Sequence, residues 1–200
     1  MEYDPRSERH NLARDPVTSL VVPRPIGWIT TITQAGLVNL APYSFFNLVA
    51  GHKNPFVMFS SSGRKHSQHN AEASGEFVFN LATFDLRVEM NETSAMVDET
   101  ISEPEKAGIA MVPSRMVKPP RVALSPIALE CKYIQTISVV GSNGNKTANS
   151  IVIGEVVNIH IDDSVIVDGM IDIRRIRPIA RLGYMDYCVV DDVFTMLRPD

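Results

Sequence analysis

Ile127–Val140 (IALECKYIQTISVV) and Ser150–Ile161 (SIVIGEVVNIHI) are dense in β-branched residues and flank Gly141-Ser142-Asn143-Gly144-Asn145, in which Asn-Gly is a strong hairpin signal. A third apolar run, Val165–Ile173, follows after an Asp-containing turn, so the second half of the chain reads as almost entirely β. Working back toward the N-terminus, Ile26–Thr33 (IGWITTIT), the turn Gln34-Ala35-Gly36 and the return run Leu37–Ala41 form another hairpin. Pro55–Ser61 (PFVMFSS) and Glu76–Ala82 (EFVFNLA) read as buried strands, and Lys65–Ser74 between them has helical composition ending at Gly75. The only other helices expected are one capped by Asp85 and running to about Met96, and a short one opened by Pro104 and ending near Gly108. Many strands, few helices and no regular βαβ alternation predict a mainly β protein, an antiparallel barrel and not a doubly wound sheet.

The 200 residues fit a single domain spanning residues 1–200, because one barrel can run to about 250 residues. At that length roughly 70% of the unfolded surface can be buried, so no disulfide or structural metal is required. Nineteen basic against 23 acidic residues give a formal charge of −4, and the cations are scattered, which argues against a nucleic-acid partner. Cys131 and Cys188 lie far apart without zinc-like spacing and read as reduced thiols, which points to the cytoplasm. The N-terminal stretch Met1–Asp15 has no apolar h-region and no 18-residue apolar run occurs, so neither export nor a membrane partner is expected.

Several chemistries lack their residues. No Gly-x-Gly-x-x-Gly and no Walker loop is present, and Gly141–Lys146 lies between two β runs with no helix to follow, so it reads as a turn. His66 and His69 are three apart on the expected helix but have no third ligand at a supporting spacing, so no metal site is expected. No Ser stands in Gly-x-Ser-x-Gly, and no catalytic nucleophile is nominated. Ser60-Ser61-Ser62-Gly63-Arg64-Lys65-His66-Ser67 leaves a strand and enters a helix with hydroxyls, free amides and two fixed cations, a set that suits a dianionic phosphate. The same residues also make a solvated loop with a Ser cap, and taken alone they leave both readings open.

Arg24–Thr31 (RPIGWITT), Asn39–Asn47 (NLAPYSFFN), Ser60–Asn70 and Gly75–Leu81 (GEFVFNL), read together, resemble the flavin reductase-like family in order and spacing. Pro119-Pro120-Arg121, Leu129–Lys132 (LECK), Gly154–Val157 (GEVV) and Arg177–Gly183 (RPIARLG) continue the match, which covers roughly residues 20 to 190. The resemblance implies an FMN-binding split β-barrel that pairs as a homodimer with the flavin near the subunit interface. Carried over by position, Ser60, Ser61, Arg64, Lys65 and Ser67 would hold the FMN phosphate, while Thr30, Thr31, Asn39, Ala41, Pro42, Tyr43 and Ser44 would line the ribityl chain and isoalloxazine. Arg181 or Tyr184 would serve beside the reduced ring or on the substrate side. The chain departs from the common pattern at His66, where an acidic residue often follows the lysine. His160 either faces the flavin or packs at a strand end, at least two of Trp28, Phe45 and Phe46 belong to the core, and Arg24 is either a site or a surface residue.

Three activities follow from the resemblance. NAD(P)H would reduce bound FMN, with electrons passing to free flavin, a partner oxygenase or another protein acceptor. A flavoredoxin-type carrier would instead receive electrons from a protein, and a non-catalytic FMN-binding protein would only hold the flavin.

Overall fold

A computed structural model describes residues 1–199 of the chain. The first hairpin forms where the sequence places it, with β2 (Gly27–Ile32) paired to β3 (Val38–Tyr43) after the short β1 (Arg24–Pro25). Only Ser44 and Phe45 separate β3 from β4 (Phe46–Ala50), a strand whose entry corner holds neither Gly nor Pro. β5 (Phe56–Ser62), α2 (His66–Ser74) and β6 (Glu76–Leu81) follow as expected, and α1 (Val17–Leu20) precedes them all. The long hairpin of β9 (Ile127–Val140) and β10 (Lys146–Ile161) comes after two short strands, β7 (Met111–Val112) and β8 (Arg121–Val122).

These strands form one antiparallel sheet in the order β3-β2-β6-β9-β10-β5-β4. Its two edge strands are joined by two residues, so the sheet has to curl until its edges meet. The amide of Ser60 on β5 donates to the Phe45 carbonyl at 2.8 Å and ties the joint. The resulting split barrel is filled by Ile29, Tyr43, Phe46, Phe59, Phe77, Phe79 and Val152. Phe46 stacks on Phe79 at 4.5 Å between centroids, and Phe59 meets Phe77 edge-on at 5.5 Å, both within the usual range for favourable aromatic pairs.

Because side chains alternate along β2, Trp28 and Thr30 face the other side of the sheet, where Trp28 joins Ile26, Leu40, Leu86, Met90 and Ile179 in a second core. The indole Nε1–H donates to Thr93 Oγ at 2.8 Å. Trp28 and Phe46 are therefore core residues, while Phe45 is 52% exposed.

Three expectations are corrected here. The helix placed from Asp85 to Met96 is only α3 (Arg87–Glu92), with Leu86 and not Asp85 at its N-cap. It stops because the Thr93 hydroxyl donates to the Met90 carbonyl and takes up the Trp28 indole, which fixes Thr93 at the helix end. The second short helix, α4 (Glu103–Lys106), carries Pro104 in its first turn. Val165–Ile173 is not one strand: a 3-10 turn (Asp163–Val165) leads into β11 (Ile166–Val167) and β12 (Met170–Ile171), after which Asp172 caps α5 (Ile173–Ile176) through the Arg174 amide. Helices α1 and α5 thus add to those expected from sequence. Last come β13 (Ile179–Arg181) and β14 (Tyr187–Val189); β13 pairs with β1 on one side and β14 on the other in a small sheet of their own. No helix among the described residues is long and apolar enough to cross a membrane.

Candidate functional site

Where β3 turns into β4, the turn between β5 and α2 comes alongside, and a cavity of about 520 Å³ opens between them. Asn39, Ala41, Pro42, Tyr43 and Ser44 form one wall, Ser60, Ser62, Arg64, Lys65, His66 and Ser67 the other, and Thr93–Val97 with Glu103 close the third side. The volume lies within the usual range for small-molecule and cofactor sites.

The cationic end is built by the chain reversal after β5. Gly63 sits at φ 74°, a left-handed conformation that lets the chain turn at once into α2, and the buried Ser61 hydroxyl donates to its carbonyl at 2.8 Å. Ser61 therefore shapes the turn from below, while Ser60 and Ser62 on either side of it face the cavity. Arg64 pairs with Glu72 of α2 at 2.7 Å, but Lys65 has no carboxylate partner among the described residues. Lys65 is also the N-cap of α2, where no side chain caps the helix, so the first-turn amides are left for another acceptor. Burial raises Tyr43 above its ordinary value, offset in part by hydrogen bonding with Ser67 and Ser61, so its phenol is a neutral wall group.

A buried polar network holds the opposite wall. Asn39 Oδ1 accepts from Thr31 Oγ at 3.2 Å and Ser67 Oγ at 3.1 Å, and Asn70 Nδ2 donates to Thr31 Oγ at 3.3 Å. Asn39 Nδ2 donates to one oxygen of Glu103 at 2.7 Å, and the Leu40 amide donates to the other at 3.1 Å. Glu103, only 6% exposed, thus pins the start of β3 from outside the barrel. Thr31 belongs to the support of the wall and not to its surface. Thr30 lies on the far face, where it accepts from Asn80 Nδ2 at 2.8 Å, away from the cavity.

Arg181 and Tyr184 do not reach this cavity. They line an adjoining one of about 410 Å³, which shares Pro42, Ser44 and Ser94 with the first. His160 lies at the end of β10 and lines neither cavity; burial first, then the charge of Arg121, lowers its pKa. Cys131 is buried, and burial pushes its thiol well up, so it offers no nucleophile. Sequence reasoning did not find Thr93–Val97 or Glu103 as site residues, and of its phosphate stretch it carried over Ser61, which supports the turn, in place of Ser62, which lines the cavity. Glu103 carries no local signal because its partner Asn39 is 64 positions away.

The model of the flavin reductase like domain matches residues 19–179 of this chain. The chain belongs to the flavin reductase like domain family. Its sequence is 35% identical over 185 residues to an uncharacterized protein of Halalkalibacterium halodurans, covering 90% of this chain and 87% of that one. Among solved structures it is similar to nitrilotriacetate monooxygenase component B from Bacillus cereus, with a TM-score of 0.88, 28% identity and 98% of both chains covered. It is also similar to the 2-nitrobenzoate 2-nitroreductase of Pseudomonas fluorescens, with a TM-score of 0.79, 29% identity, and 92% of this chain and 88% of that one covered. In this flavin reductase like domain the two sequence blocks NLAPYS and SSSGRKHS face each other across one cavity, although at least 15 residues of chain separate them.

Proposed function

We propose that this chain is an FMN-binding flavoprotein oxidoreductase that takes electrons from NAD(P)H, either as a flavin reductase or as a reductase component passing electrons to an acceptor. One observation carries the reading: the cavity has two unlike ends. At one end Lys65, the hydroxyls of Ser60 and Ser62 and the uncapped first turn of α2 are chemically matched to a dianionic phosphate. Along the other, the β3 wall from Ala41 to Ser44 offers backbone groups and flat apolar surface to a ring system. His66 at the phosphate end, where the family often has an acid, places there a side chain that does not repel the anion.

In this reading Lys65 and the α2 amides bind the phosphate, Asn39 and Ser67 face the ribityl chain with their orientation fixed by Thr31 and Glu103, and Ala41–Ser44 set the plane of the ring. Arg64 contributes as a second cation, divided between the ligand and Glu72. FMN, when bound, supplies the electron-transfer chemistry. The likeness to a monooxygenase component and to a nitroreductase supports a redox role.

The chain is proposed to work as a homodimer. β4 is a sheet edge, and Phe45 just before it and Leu48 and Val49 on it are each more than half exposed, apolar surface suited to pairing with a second copy. Light scattering should give twice 22.1 kDa, and Leu48→Asp should reduce it to the single-chain mass. Two unpaired cysteines agree with a reducing, cytoplasmic setting.

Anaerobic mixing of the FMN-loaded protein with NADH or NADPH tests the activity. Bleaching of the long-wavelength flavin band within the mixing time of an assay is the expected result. Unchanged absorbance with both donors would replace the reductase with a carrier of flavoredoxin type or a flavin-holding protein.

A further inference from the structure

Arg24 of β1 and Arg181 of β13 are direct cross-strand partners. Like charges set opposite one another in an antiparallel pair are destabilising, so the pair needs compensation from elsewhere. No counter-charge is present among the described residues: neither arginine takes part in an ion pair, and Arg24 has only carbonyls and the Phe45 ring, 5.6 Å from its guanidinium, against it. Arg24 is only 8% exposed and donates to the carbonyls of Thr18, Val21 and Leu182, which are neutral groups. Its Nε is buried without a partner. Burial first, and then the charge of Arg181, weakens the hold of Arg24 on its proton.

Arg24 and Arg181 both line the 410 Å³ cavity, and no Asp or Glu lines it, although the chain as a whole carries a formal charge of −4. The segment after β13 folds back to hold Arg181 in place. Arg181 Nη2 donates to the Tyr184 carbonyl, its guanidinium lies 4.4 Å from the centroid of the Tyr187 ring, and Tyr184 adopts φ 54°. A non-glycine residue in the left-handed region is uncommon, and such conformations cluster at ligand sites. Two cations pre-set without counter-charge in a concave, partly apolar site are matched to a phosphate or carboxylate, which the planar fork of arginine can bind through paired hydrogen bonds.

We propose that the Arg24–Arg181 cavity recognises the anionic group of the second reactant, the molecule that exchanges electrons with the flavin. The inference rests on the reading of the first cavity as the FMN site. Pro42, Ser44 and Ser94 are common to both cavities, so an anion held by the arginines anchors its molecule beside the ring wall. The anion is either a phosphate, as in a pyridine dinucleotide, or the carboxylate of an organic acid.

Calorimetric titration of wild type, Arg181→Gln and Arg181→Lys, each with and without FMN, separates these sources. Inorganic pyrophosphate and NADP⁺ probe for phosphate, benzoate probes for carboxylate, and benzamide is the uncharged control. Arg181 is chosen because Arg24 is buried and tied to three carbonyls, so its replacement endangers the fold. At least one anion should bind wild type and weaken by about tenfold or more in Arg181→Gln, less in Arg181→Lys, with benzamide unchanged. Pyrophosphate seated at Lys65 in the FMN-free protein would be insensitive to Arg181. The proposal is overturned if no anion binds wild type, if Arg181→Gln binds the anions undiminished, or if it weakens benzoate and benzamide alike. Failure to bind FMN would overturn the assignment of the first cavity, while the FMN-free titrations would still decide whether the arginines hold an anion.

Discussion

Replacing Glu103 by Gln should destabilise the fold through the wall of the site. The two Glu103 oxygens accept one bond each, from Asn39 Nδ2 at 2.7 Å and from the Leu40 amide at 3.1 Å. Gln keeps the shape but turns one acceptor into an NH₂, so one of two buried donors is left facing another donor. A bond to a charged group contributes about 1.5–3 kcal/mol, and an orphaned buried donor costs a similar amount, so Glu103→Gln should lower the unfolding free energy by about 2–3 kcal/mol. Glu103→Ala orphans both donors and should cost about 3–6 kcal/mol. In a chain of this size the Gln variant should melt about 4–12 °C lower. The assay is urea unfolding of the FMN-free protein at neutral pH, followed by FMN titration at a denaturant-free temperature where both proteins are folded. FMN affinity should fall as well, because Asn39 is turned toward the cavity by this carboxylate. A Gln variant within about 0.5 kcal/mol of wild type would refute the network as the support of β3.

Gly154→Ala should destabilise by about 1–3 kcal/mol, measured by the same unfolding assay. A Cβ there would stand 2.4 Å from the Phe77 ring, which is fully buried and packed edge-on against Phe59. Glu130 should make the protein acid-sensitive: burial pushes its carboxyl up, but the amides of Arg115 and Met116 and the side chain of Asn158 outweigh burial and hold it below the ordinary value of 4.5. With the folded value depressed, its contribution is present above the ordinary value and is lost as pH falls through the folded one. Urea midpoints taken from pH 7 to pH 3 should therefore fall more steeply for wild type than for Glu130→Gln; equal slopes would show that this carboxylate is not a source of the acid limb.

What could be read from the sequence follows the range of the interactions that set it. The β2–β3 and β9–β10 hairpins are written locally, in Gln34-Ala35-Gly36 and Asn143-Gly144, and both form there. The strand Phe46–Ala50 carries no local signal because its corner is made by a contact from Ser60 to Phe45 and not by turn residues. α3 is shorter than its composition predicts because its end depends on Trp28, which lies 65 positions from Thr93. The run Val165–Ile173 reads as a strand by composition, but Asp168 and Gly169 take positive φ and break it into two short strands. Within the site, the phosphate-end residues are contiguous and visible as one motif. Glu103, the Thr93–Val97 rim and the pairing of Arg24 with Arg181 exist only once distant segments have met.

The central claim, that Lys65 and the start of α2 read a terminal phosphate, is tested most directly by titrating the flavin-free protein with FMN and with riboflavin, for wild type and for the double variant Arg64→Ala, Lys65→Ala. The expected result is tighter binding of FMN than of riboflavin by wild type, and a loss of FMN affinity of about 2–4 kcal/mol in the variant, with riboflavin affinity nearly unchanged. Equal weakening of both flavins, or no preference for FMN in wild type, would contradict it.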